Sequence, residues 1–103
     1  MQLSATEAQQ IALEFLLQDW NIPDAISDWF VVISSRLMGQ YWYIVEIGIA
    51  GLPDRWYIQV YDTGECDPNY TFVSPIKSTE IDTDLGEFPA IIAEVLSSER
   101  NSR

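Results

Sequence analysis

The chain has 103 residues, close to half of them apolar, with four Trp, five Tyr and four Phe, so it is expected to fold as a single domain (1–103) around one core rather than to be disordered. Sixteen Asp and Glu against five Lys and Arg leave a net charge of −11, which disfavours nucleic acid and anionic membranes and favours basic partners. With no histidine and one cysteine, Ser-His-Asp, Cys-His and histidine-zinc chemistry are excluded, and a thiolate cage cannot be built.

The opening MQLSATEAQQ has neither a basic n-region nor an apolar h-region, so a cytoplasmic protein is expected, in a bacterial setting. Ser4-Ala5-Thr6-Glu7 reads as a capping box. Ala8, Ile11, Ala12, Phe15 and Leu16 follow at helical spacing, widened by Leu13, Leu17 and Trp20. The spacing predicts a helix from Ala5 to Trp20, with the chain turning at Asn21-Ile22-Pro23-Asp24.

Three strands are predicted next. Trp29 to Met38 is β-branched and aromatic and stops at Gly39. Tyr41 to Ile49 alternates, with Tyr41, Tyr43, Val45, Ile47 and Ile49 on one face and Trp42, Ile44, Glu46 and Gly48 on the other. After a loop at Ala50 to Asp54, Trp56 to Tyr61 alternates again, setting Trp56, Ile58 and Val60 against Tyr57, Gln59 and Tyr61. A short fourth strand from Tyr70 to Ser74 is stopped by Pro75. A polar loop, Lys77 to Leu85, leads to a last helix that Asp84 or Gly86 can cap, with Pro89 in its first turn. Its stripe is Phe88, Ile91, Ile92, Val95 and Leu96. Fraying is expected at Ser97-Ser98, with a mobile tail from Glu99 to Arg103. The order implies an α+β fold: an N-terminal helix, an antiparallel meander of three to four strands and a C-terminal helix packed on the sheet.

Few motifs carry chemistry. Asp62-Thr63-Gly64 is the triplet of aspartic proteases, but Tyr61 precedes it and Glu65, Cys66 and Asp67 follow, where a coupled carboxylate pair needs apolar cover. A tight turn with Gly at positive φ explains it better. The run Glu80 to Glu87 fails as a calcium loop, since the Gly and Glu places counted from Glu80 hold Leu85 and Ile91. Its acids suit the positive end of the last helix or a secondary acidic contact through Glu80, Asp82 and Asp84. No phosphate-cradling glycine loop is present. No cofactor and no metal is expected. A carboxylate-only enzyme is the remaining catalytic alternative, and no pair of acids stands out for it.

If Tyr43, Val45, Ile47, Ile58 and Val60 face the first helix, then Trp42, Ile44, Tyr57 and Tyr61 point the other way, beside Glu46 and Gln59. Trp and Tyr dominate the energetics of protein interfaces. Trp42, Ile44, Tyr57, Tyr61 and Glu46 are therefore the candidate partner-binding residues, provided that neither the C-terminal helix nor the segment after Pro75 covers them. Trp20 and Trp29 are expected in the core.

Leu3-Ser4-Ala5-Thr6-Glu7-Ala8 followed by Ile11-Ala12, the strand Tyr41-Trp42-Tyr43-Ile44-Val45-Glu46-Ile47, and Trp56-Tyr57-Ile58-Gln59-Val60-Tyr61 running into Asp62-Thr63-Gly64-Glu65 together resemble PepSY-like domains, which share a cystatin-like architecture. The likeness covers the first two thirds of the chain, and the turn is tighter than the usual Asp-x-x-Thr-Gly-Glu. It implies a helix-plus-meander fold and a binding or inhibitory module without catalytic residues. The expected function is thus an acidic assembly chaperone, adaptor or regulatory inhibitor that is a monomer or weak homodimer and binds a protein with a basic surface. An immunity protein that neutralises a basic toxin is the alternative.

Overall fold

A computed structural model describes residues 3–76 and 85–102. Helix α1 (Ala5–Asp19) starts where the capping box predicts: Glu7 N–H donates to Ser4 Oγ at 3.1 Å, and Ser4 N–H donates to the Glu7 carboxylate at 3.2 Å. It ends at Asn21, whose φ of 52° is left-handed. There Ile22 N–H donates to Leu17 O and Asn21 N–H to Gln18 O, the paired bonds of a Schellman motif. Asn pays a smaller steric penalty there than a branched residue would.

A one-turn helix, α2 (Asp24–Ser27), follows Pro23 where the sequence suggested only a turn. The sheet is an antiparallel meander in the order β1 (Phe30–Met38), β2 (Trp42–Ile49), β3 (Arg55–Tyr61) and β4 (Thr71–Val73). Helix α3 (Ala90–Asn101) closes the fold. The α+β fold is thus as expected, with both long helices and the antiparallel meander present.

Alternation sorts β2 and β3. Tyr43, Val45, Ile47, Trp56, Ile58 and Val60 are buried and form one core with Ala8, Ala12 and Leu16 of α1 and Ile92, Val95 and Leu96 of α3. Strand β1 hides its alternation because a β-bulge between Val32 and Ser34 flips the period. Phe30 and Val32 pair with the core-facing Ile49 and Ile47, while beyond the bulge Ser35 and Leu37 pair with Val45 and Tyr43. Inward positions are therefore even-numbered before the bulge and odd-numbered after it. Ile33 falls on the outer face, its Cδ1 2.8 Å from where a Cβ on Gly48 would stand. The missing side chain at Gly48 gives Ile33 and Arg55 room to lie across the strand.

Trp56 is fully buried at the centre of the core. Its ring meets Phe30 of β1 at 5.7 Å and Phe72 of β4 at 5.3 Å. Its indole N–H donates to the Glu99 carboxylate of α3 at 2.6 Å.

Several expectations are corrected here. Helix α3 does not fray at Ser97-Ser98; it runs to Asn101 with Glu99 and Arg100 buried. The reason is polar anchoring: Arg100 Nε and Nη2 each donate to one Asp54 carboxylate oxygen at 2.8 Å, and Asp54 and Arg100 are 0% and 1% exposed. Asp54 stands in the loop that the sequence predicts, between β2 and β3, and is nevertheless fully buried. Gly86 does not cap α3, whose N-cap is Pro89; Asp84 lies outside the described residues. Trp29 precedes β1 and is 37% exposed, because it packs edge-on against Phe88 at 5.4 Å instead of entering the core. Trp20, as expected, packs against the core, half-buried at its margin with its indole N–H donating to the Tyr70 hydroxyl.

Candidate functional site

The placement of the two long helices defines the site. Both α1 and α3 contribute to the core on the Val45–Trp56 side of the sheet. Among the described residues, no helix lies on the opposite side. That outer face carries Val31, Ile33, Ser34, Arg36 and Met38 from β1, Trp42, Ile44, Glu46 and Gly48 from β2, Arg55, Tyr57, Gln59 and Tyr61 from β3, and Thr71 and Val73 from β4.

All five candidate residues stand on this face. Trp42, Ile44, Glu46 and Tyr57 are half-buried by their neighbours, and Tyr61 is 37% exposed. Val31 at 37%, Ile33 at 43% and Val73 at 49% exposure extend the apolar surface to both edges of the sheet. A patch of this kind, built on rigid strands, is the usual form of a docking surface.

At its centre Glu46 is fully engaged. Ser34 Oγ donates to Oε1 at 2.9 Å, Arg55 Nε lies 3.3 Å from Oε2, and the Tyr57 hydroxyl donates to Oε2 over a long 3.5 Å. Arg55 in turn donates through Nη1 to the Leu52 and Asp54 carbonyls at 2.8 Å. Beside this network Ser34, Arg36, Ile44, Glu46 and Tyr57 line a depression of about 280 Å³. At the far end the Tyr61 hydroxyl donates to Asp67 at 3.2 Å, and loss of hydration together with that carboxylate pushes its pKa up.

Sequence reasoning missed Arg36, Arg55 and Ile33. Only the strand register sets Arg36 opposite Ile44 and Arg55 diagonally beside Glu46. The bulge that brings Ile33 and Ser34 onto the outer face has no sequence signature as plain as a glycine. The acidic contact expected at Glu80, Asp82 and Asp84 lies outside the described residues.

Two other concavities exist among the described residues. One of about 610 Å³ is lined by Glu14, Leu17, Gln18, Asn21, Ile22 and Asp24, where both carboxylates stand in water. The other, of about 250 Å³, is lined by Tyr70, Phe72, Glu99 and Ser102. Burial and the Glu99 charge push the Tyr70 phenol well above its ordinary value. Asp62-Thr63-Gly64 forms a turn after β3: Gly64, at φ 88°, donates to Tyr61 O, and Tyr61 N–H donates to Glu65 O. Cys66 is half-buried, with burial raising its thiol pKa, which leaves little thiolate for nucleophilic work at neutral pH.

Among the described residues, no group of three His, Cys, Asp or Glu side chains is placed to hold a metal ion. No described helix is long and apolar enough to cross a membrane. No protein-family model, curated protein or solved structure matches the chain.

Proposed function

We propose that this chain is a non-catalytic protein-binding module that uses the outer face of its sheet, and that it acts in the cytoplasm as an assembly chaperone, adaptor or regulatory inhibitor. One observation carries this reading: α1 and α3 share one side of the sheet, which leaves a face of Val31, Ile33, Trp42, Ile44, Tyr57, Tyr61 and Val73 without a covering layer among the described residues. A two-layer fold ordinarily turns polar side chains toward water on its outer sheet face. Large aromatic and branched side chains there cost solubility unless a partner covers them for part of the time.

The PepSY-like reading of residues 3–65 belongs to the same proposal, since that resemblance also implies binding or inhibition without catalysis. The net charge of −11 supports a partner that is basic overall. It equally favours the immunity-protein variant, in which the occupant is a basic toxin. Charge steering of that kind speeds association and weakens as salt is added.

The test is affinity purification from native lysate with the wild-type chain and with a Trp42→Ala/Tyr57→Ala variant, alongside circular dichroism of both. A stoichiometric partner retained by the wild type and lost by a folded variant is the expected result. Absence of any such partner, or equal retention by the variant, would overturn the reading.

A further inference from the structure

Resting on that docking reading, we infer that the outer face receives a polypeptide segment that delivers a carboxylate to Arg36, with apolar side chains on either side of it. The charge layout of the face carries this. The described residues include three arginines. Arg100 is buried against Asp54, and the other two, Arg36 and Arg55, both stand on the outer face of a protein whose net charge is −11. Register admits one carboxylate to the same face, Glu46, which Arg55, Ser34 and Tyr57 already satisfy. Neither ion pair of the described residues includes Arg36, which is exposed on the wall of the depression that Ser34, Ile44, Glu46 and Tyr57 complete. The face thus sets one spare positive charge among aromatic and branched side chains.

The complement of that layout is an acceptor of negative charge set among apolar groups. A guanidinium offers a fork that matches a carboxylate, and flanking apolar contacts exclude the water that would weaken the pair. A lysine entering the depression would meet Arg36 with Glu46 already neutralised, which is a mismatch that selects against it. A depression of about 280 Å³ in the face of a sheet has room for one side chain or a chain end. A second copy presenting the same face has no unengaged carboxylate to offer, and two chains of −11 repel one another. The same repulsion disfavours an acid-rich segment. The occupant therefore carries an isolated carboxylate, from Asp, Glu or a C-terminus, in an otherwise apolar or basic stretch.

The experiment pans a random peptide library against the whole wild-type chain and against Arg36→Glu, with Arg36→Gln as the uncharged control. Enriched peptides are then synthesised with and without their carboxylates, as Asn or Gln analogues and as C-terminal amides, which separates a side chain from a chain end. The wild type is expected to enrich single acids among aromatic and aliphatic residues. Removing the carboxylate is expected to weaken binding about tenfold, and Arg36→Glu is expected to enrich Lys or Arg at the same place. Amide shifts confined to β1–β3 locate the peptide. Peptides that need Trp42 and Tyr57 but show no preference for an acid would overturn the carboxylate assignment and leave the docking reading standing. Peptides that bind regardless of Trp42→Ala and Tyr57→Ala, or no enrichment at all, would overturn both. Sedimentation showing a wild-type dimer that Arg36→Glu abolishes would make a second copy the occupant and overturn the inference.

Discussion

Asp54 and Arg100 show how much one side-chain pair decides. Two charges removed from water are tolerable because both carboxylate oxygens and two guanidinium nitrogens meet at 2.8 Å. Removing one partner strands the other, so Arg100→Ala is expected to cost about 3–5 kcal/mol, read as a lower urea midpoint at neutral pH. Arg100→Met combined with Asp54→Leu is expected to recover most of that loss, because a buried pair contributes little beyond a well-packed apolar substitute. Tyr70 makes a second residue-scale prediction. Its phenol is raised above the ordinary 10.0 by burial first and by Glu99 second. The folded state therefore holds its proton after the unfolded chain has released it, and stability is lost as pH rises past about 10. Tyr70→Phe is expected to flatten the alkaline limb of a stability–pH curve, with Tyr61 and Cys66 supplying the remaining slope.

At the scale of elements, ends and irregularities matter more than propensity. The capping box sets the start of α1, and Ser4→Ala is expected to cost about 1 kcal/mol, measured by thermal or urea unfolding. The left-handed φ of Asn21 ends the same helix. Asn21→Gly is expected to be neutral or slightly stabilising, while Asn21→Val forces a branched side chain into that conformation and destabilises. In β1 the bulge performs the switching: one extra residue exchanges the inward and outward sets, so Ser35 meets Gln9 of α1 while Ile33 and Arg36 join the outer surface. Helix α3 is held through Trp56 and Asp54, and not by its apolar stripe alone.

For the molecule as a whole, charge and layering act together. A net charge of −11 on 103 residues is self-repulsive, so added salt is expected to raise the melting temperature of the free protein while weakening its association with a basic partner. These opposite trends are measurable on one sample by calorimetry and by titration. Because the outer face lies outside the helix-covered core, Trp42→Ala and Tyr57→Ala are each expected to change stability by no more than about 1 kcal/mol, the separation of function from folding that a docking surface requires.

The element order, the antiparallel meander and the inward set of β2 and β3 follow from local grammar: an N-cap pair, period-two alternation, Gly and Pro punctuation. These need only nearest neighbours along the chain, and they also place Trp42, Ile44, Glu46, Tyr57 and Tyr61 on one face of the strands. Tertiary structure alone decided which side α3 takes, because its stripe of Ile91, Ile92, Val95 and Leu96 would fit either face. The choice rests on Glu99 reaching Trp56 and Arg100 reaching Asp54, contacts spanning 43 and 46 residues of chain. No periodicity encodes such pairings, since they depend on where separate elements meet in space, and they hold α3 on the side of the sheet away from the aromatic face.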